Sequence, residues 1–102
     1  MYNLNIHGPF FEWDERKNLT NQRKHGVSFQ EARTVFLDEY AKDFFDLTHS
    51  DKEERIILLG ISERLRVLVV CYCLGQKGTM IRIFSARRAA IKEEQEYWRD
   101  RP

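Results

Sequence analysis

Three short clusters of ionisable residues stand where secondary-structure elements of this chain should end. Lys24-His25-Gly26 closes a helical pattern. Cations at a helix C-terminus complement the macrodipole and glycine supplies a left-handed cap, so capping alone accounts for the triplet. A histidine fixed there is also placed for proton transfer near neutral pH. Arg87-Arg88 stands where the last strand should turn into the last helix. Cations near a helix N-terminus oppose the macrodipole by about 0.3–1 kcal/mol. An anion would relieve that conflict, either a phosphate or the carboxylates of a partner protein. Glu54-Arg55 opens a central strand. It is either a surface pair of little weight or a carboxylate base beside a phosphate clamp. Arg82 interrupts Met80 to Phe84, and alternation puts it opposite Ile81 and Ile83 on an open sheet surface. Tyr72 interrupts the preceding strand and reads equally as core or as a stacking platform.

The elements that must position these groups are legible from period and punctuation. Phe10 to Trp13 is a short apolar run, a first strand. Asp14 is a good N-cap, and the helix it opens should stop at Gly26. Its chief apolar residue is Leu19, so it should be largely exposed and anchored by its ends. Ser28 and Glu31 have capping-box spacing for a second helix, with Phe29, Ala32, Val35 and Phe36 on its core face. Strands follow at Ile56–Ile61, Val67–Cys73 and Met80–Phe84, with a weaker one around Phe44-Phe45 before a polar turn at His49–Lys52. Turn composition at Glu63-Arg64 and Gly75–Gly78 makes these an antiparallel meander. A last helix, from about Arg88 to Arg99, places Ile91 and Trp98 one heptad apart on a single face. The order is strand, two helices, a four-stranded meander and a C-terminal helix. That is a small single α+β domain with one sheet face covered by helices and part of the other open.

At 102 residues the chain has room for one core, and 42% hydrophobic content suffices to build it. The net charge of +1 hides local bias, acidic from Asp38 to Glu54 and basic from Arg82 to Lys92. A neutral chain with a locally basic surface suits an anionic ligand better than indiscriminate binding. Cys71 and Cys73 read as reduced, small apolar residues of a strand, not as a disulfide. His7, His25 and His49 are scattered and no C-x-x-C occurs, so no metal site and no cofactor is expected. Val67–Leu74 is too short to span a bilayer, and the N-terminus does not read as a signal peptide. The expected location is the cytoplasm. Residues 1–9, ending in Gly8-Pro9, read as a loose leader before a domain of residues 10–102. No P-loop, G-x-S-x-G, H-E-x-x-H or dinucleotide signature is present.

Three stretches nevertheless resemble one family. They are Phe11-Glu12-Trp13-Asp14 with Asn21 and Lys24-His25-Gly26-Val27-Ser28-Phe29-Gln30-Glu31-Ala32; Glu54-Arg55 with Ile57, Gly60 and Leu68-Val69-Val70; and Ile81-Arg82-Ile83-Phe84-Ser85-Ala86-Arg87-Arg88-Ala89, continuing into Lys92-Glu93-Glu94 and Tyr97. Over about residues 10–98 the chain is similar to the BrnT toxins of type II toxin–antitoxin systems. The resemblance implies a RelE-like fold and cleavage of RNA. It also implies a BrnA-like antitoxin of ribbon-helix-helix type, through which the complex represses its own operon by binding operator DNA. It maps candidates onto Lys24, His25, Glu54, Arg55, Arg87 and Arg88: His25, Glu54 and Arg87 as the catalytic set, with Lys24, Arg55 and Arg88 holding RNA, to which alternation adds Arg82. His25 and Glu54 are the acid and base in either order, and Arg87 is the transition-state clamp. No metal is needed, because the 2′-hydroxyl of RNA can attack the adjacent phosphorus itself. The competing class is a non-catalytic module that binds a DNA-binding partner as co-repressor. Cys71-Tyr72-Cys73 departs from the usual family pattern at the strand centre.

Overall fold

The computed structural model describes residues 10–46, 54–75 and 78–99. The 1–9 leader and the polar turn at His49–Lys52 lie outside the described residues. The elements are β1 (Phe10–Glu12), α1 (Glu15–His25), α2 (Phe29–Thr34) with a 3-10 turn (Val35–Leu37), β2 (Lys42–Phe45), β3 (Ile56–Ile61), β4 (Val67–Gly75), β5 (Met80–Arg88) and α3 (Ile91–Trp98). β2 to β5 form the antiparallel meander, and β1 joins its far edge parallel to β5, giving a five-stranded sheet in the order β1-β5-β4-β3-β2. The α+β class and single-domain form are those read from sequence, with the first strand added to the sheet.

The two sheet faces bury different sets. On one, Leu58, Leu68, Val70, Tyr72, Ile81, Ile83 and Ala86 pack against Val27, Phe29, Ala32 and Val35 from the helical side. On the other, Leu59, Val67 and Val69 pack under Tyr97 of α3. Tyr72 is therefore core. Its hydroxyl donates to Asp43 at 3.0 Å, and burial, then that carboxylate, push its pKa well above the usual tyrosine value.

Asp14 caps α1 through the N–H of Arg16, and Gly26 ends it at φ 68°. The helix is not anchored by its ends, however. Leu19 is half exposed, while Asn18 and Asn21 are buried. Three residues apart, they share one helix face. Asn18 accepts from Phe29 N at 2.8 Å, at the start of α2. Asn21 donates to the carbonyls of Val27 and Ala86 and accepts from Ala86 N–H. Its carboxamide thus serves as a strand partner for β5. Amide pairing, not apolar burial, docks this polar helix.

The capping box at α2 is only half formed. Ser28 Oγ accepts from Glu31 N–H at 3.0 Å, but the Glu31 carboxylate turns inward. There it is 3% exposed, bonded to Arg66 and Ser62.

Two expectations about the C-terminal third need correction. β5 continues to Arg88, because Arg87 and Arg88 stay in register with Val69 and Leu68, and Ala89 N–H still reaches Val67 O. The α3 helix begins only after Ala90. The heptad pair Ile91 and Trp98 is not a core face: they are 78% and 49% exposed, and Tyr97 seats the helix instead.

Candidate active site

β5 organises the site through a bulge. Cys71 pairs with Ser85 but Tyr72 pairs with Ile83, so Phe84 has no partner on β4. The extra residue switches the strand's parity: Ile81 and Ile83 face the helical core before it, Ala86 after it. Phe84 and Ser85 consequently both line a cleft of about 390 Å³ against α1. Asp14, Arg16, Lys17, Thr20, Asn21, Lys24 and His25 form the helical wall. Lys24 and His25 therefore stand in a cleft as well as at a helix terminus.

Arg55 reaches the same place from the residue just before β3. Its guanidinium lies 4.4 Å from the centroid of the Phe84 ring, and Lys17 of α1 lies 5.9 Å from it. Both are within the range of cation–π attraction. Arg55 also hydrogen-bonds the Cys71 thiol, whose pKa burial pushes up against the opposing pull of that arginine.

A second cleft, about 650 Å³, adjoins along β5 and β4. Glu12, Glu54, Ile56, Cys73, Leu74, Gly75 and Arg82 line it. Arg82 pairs with Cys73 in register and its Nη1 sits 3.2 Å from Glu12. Continuing the β3–β4 register by one residue places Arg55 opposite Cys73 on that face. Glu54, Arg55 and Arg82 thus flank one open stretch of sheet, as alternation at Arg82 implied.

The other two arginines are placed differently. Arg87 lies on the α3 side, in register with Val69, and Arg88 on the opposite side with Leu68. Arg87 makes a bidentate pair with Glu93, both bonds 2.8 Å, and Glu93 also accepts from Ala90 N–H at 2.7 Å. Arg87 holds the Glu93 carboxyl below the usual carboxylate range. The anion expected beside this arginine is therefore supplied from within the chain. The helix-dipole conflict does not arise there, since Arg87 is a strand residue.

Phe84 and Lys17 escaped the reading of the sequence. Phe84 shares parity with Arg82, so an aromatic beside an arginine on an open face was the available signal. Lys17 sits in the first turn of α1, where a cation opposes the macrodipole.

Among the described residues, no group of three His, Cys, Asp or Glu side chains converges as metal ligands would. No helix there is long and apolar enough to cross a membrane. A basic, aromatic-floored cleft bearing a histidine suits a phosphodiester ligand. The family model described as "Ribonuclease toxin, BrnT, of type II toxin-antitoxin system" matches residues 13–93, and the chain belongs to that family. It is also similar to the crystal structure of the Brucella abortus ribonuclease toxin BrnT, at 26% identity and TM-score 0.59, covering 78% of this chain and 95% of that one. Among curated proteins there is no significant match.

Proposed function

We propose that this chain is a metal-independent endoribonuclease whose substrate lies across the Phe84 cleft and the adjoining Arg82 cleft. The observation that carries this reading is the convergence on Phe84: Lys24 and His25 line its cleft while Arg55 stacks on its ring at 4.4 Å. In this reading the 2′-hydroxyl attacks the neighbouring phosphorus and the 5′-oxygen leaves. One proton is taken and one returned, by His25 and Glu54. Lys24, Arg55 and Arg82 hold the backbone; Arg88, on the sheet face opposite Arg82 and in the lining of neither cleft, takes no part. Arg87 stabilises the phosphorane only by exchanging Glu93 for phosphate.

Membership of a type II toxin family implies an antitoxin and an RNA substrate. We infer a BrnA-like ribbon-helix-helix antitoxin that silences the toxin in the cytoplasm and carries the complex to operator DNA.

The test is cleavage of RNA by purified protein in excess EDTA. Products should end in a 2′,3′-cyclic or 3′-phosphate, and His25→Ala should slow the reaction by about 10²–10⁴. Strict dependence on added Mg²⁺, or 5′-phosphate ends, overturns the mechanism. Adding antitoxin to equivalence should abolish cleavage; a saturated complex that still cuts RNA overturns inhibition by binding.

A further inference from the structure

We propose that Lys17 and Arg55, each held against the ring of Phe84, form a phosphate subsite for the RNA chain, with Phe84 as its positioning residue. This rests on the ribonuclease reading above and deepens it, adding Lys17 and Phe84 to the groups that hold the substrate backbone.

The two cations come from separate parts of the chain, Lys17 from α1 and Arg55 from the residue just before β3. Both stand over one aromatic ring, Lys17 at 5.9 Å and Arg55 at 4.4 Å. A ring quadrupole attracts positive charge to its face, so Phe84 helps to hold each of them there. The bulge is what makes this geometry available. Phe84 is the residue of β5 left without a partner on β4, and its side chain lines the α1 cleft with Ser85.

Lys17 gains nothing from its own helix. It occupies the first turn of α1, where positive charge is locally unfavourable. The capping carboxylate of Asp14 is already engaged with Arg16 N–H. A cation placed against its helix dipole, on the same ring that holds Arg55, is suited to an anion that bridges the two. The chemistry that fits is a backbone phosphate of single-stranded RNA. Such a contact is largely electrostatic and carries no sequence information.

The probe is a 2′-O-methyl oligoribonucleotide, which lacks the attacking hydroxyl and cannot be cut. Its affinity is read by fluorescence anisotropy over a salt series. Each phosphate contact on a single strand contributes about 0.7 to the slope of log K against log salt. Lys17→Ala combined with Arg55→Ala should flatten the slope by about that amount, and each single variant by part of it. Phe84→Leu keeps both charges yet should weaken binding about two- to fivefold, and Phe84→Tyr should not. In an Arg55→Ala background, Phe84→Leu should cost much less, because the ring acts through that guanidinium. Melting curves on the same preparations confirm that each variant is folded.

Unchanged slopes, or wild-type binding by folded Phe84→Leu, overturn the subsite. Wild-type protein that fails to bind the probe overturns it too. Wild-type protein that binds with these effects but never cuts the unmodified RNA leaves the subsite standing and overturns the ribonuclease mechanism.

Discussion

Replacing Arg66 with methionine should be among the most damaging single changes in this chain. Arg66 donates from Nε to Glu31 at 3.0 Å, and from Nη2 to Glu31 and to the Gly26 carbonyl at 3.0 Å. Ser62 donates to the same carboxylate at 2.7 Å, and Arg64 stands 3.9 Å away. Glu31 is almost wholly buried, so Arg66→Met leaves its carboxylate with one hydroxyl donor and only the more distant, exposed Arg64 as counter-charge. Breaking a buried pair from one side costs about 3–5 kcal/mol. For a domain near this size each kcal/mol is worth about 4–8 °C, so Tm should fall by more than about 10 °C. Burial alone would raise the Glu31 pKa. The hydrogen bonds from Arg66 and Ser62, with the charges of Arg66 and Arg64, outweigh it and hold the folded value below the usual range. A depressed folded pKa contributes stability above the unfolded pKa, and that contribution is lost as pH falls through the folded one. The penalty of Arg66→Met should therefore be full at pH 7 and shrink below about pH 4.5. Glu31→Leu combined with Arg66→Met should recover most of the loss. Urea denaturation of the three variants and wild type at pH 7 and pH 4 measures all of this. A cost under about 1 kcal/mol at pH 7, or one equal at both pH values, would refute the buried-pair account.

Asn21→Leu should cost about 2–4 kcal/mol in urea denaturation, because it removes hydrogen bonds to Val27 and both backbone groups of Ala86. Near-wild-type stability would mean α1 is held some other way. Gly60→Ala puts a Cβ 2.8 Å from Val35 Cγ1 and 2.9 Å from Ala41 Cβ, so overpacking should cost about 1–3 kcal/mol. A stabilised variant would show that the neighbours yield. Arg87→Ala and Glu93→Ala should show a coupling energy of about 0.5–1 kcal/mol in a double-mutant cycle, since the pair is bidentate but partly exposed. If Arg87 is also the transition-state clamp, Glu93→Gln should leave cleavage intact or raise it, whereas Arg87→Ala lowers it about 10²–10³-fold; a matching loss in both variants assigns the pair to structure alone.

Where local rules and tertiary packing agreed, the fold was legible in the sequence. Asp14 and Gly26 bound α1 as their chemistry requires, and Phe29, Ala32 and Val35 are fully buried as their spacing implied. The misses have specific causes. Alternation read β5 as ending at Phe84 because the pattern breaks at Ser85, yet a bulge carries pairing on to Arg88. That error placed Arg87 at a helix N-terminus and implied a charge conflict, whereas Arg87 is a strand residue paired with Glu93. Apolar periodicity could not see that two asparagines dock α1, since buried amides leave no hydrophobic stripe. The same rule put Ile91 and Trp98 on one face of α3 correctly, but only contacts decide which face turns inward. Of the residues lining the cleft, Lys24 and His25 were legible through helix punctuation. Phe84 was missed because an aromatic in a strand is ordinarily core.

The fastening of α3 has a mechanical side. Tyr97 is its one buried residue, with the hydroxyl 2.6 Å from Asp38. On either flank the helix is clipped to the sheet, by Lys42 to Glu96 from β2 and by Arg87 to Glu93 from β5. A lid held by one apolar peg and two partly exposed ionic clips loosens differently from a packed core. Salt weakens the clips and leaves the peg. α3 is thus the element whose opening free energy should follow ionic strength, with amides exchanging in advance of global unfolding. When it lifts, Leu59, Val67 and Val69 are bared together and Arg87 is released from its carboxylate, so one motion exposes a sticky face and arms a cation.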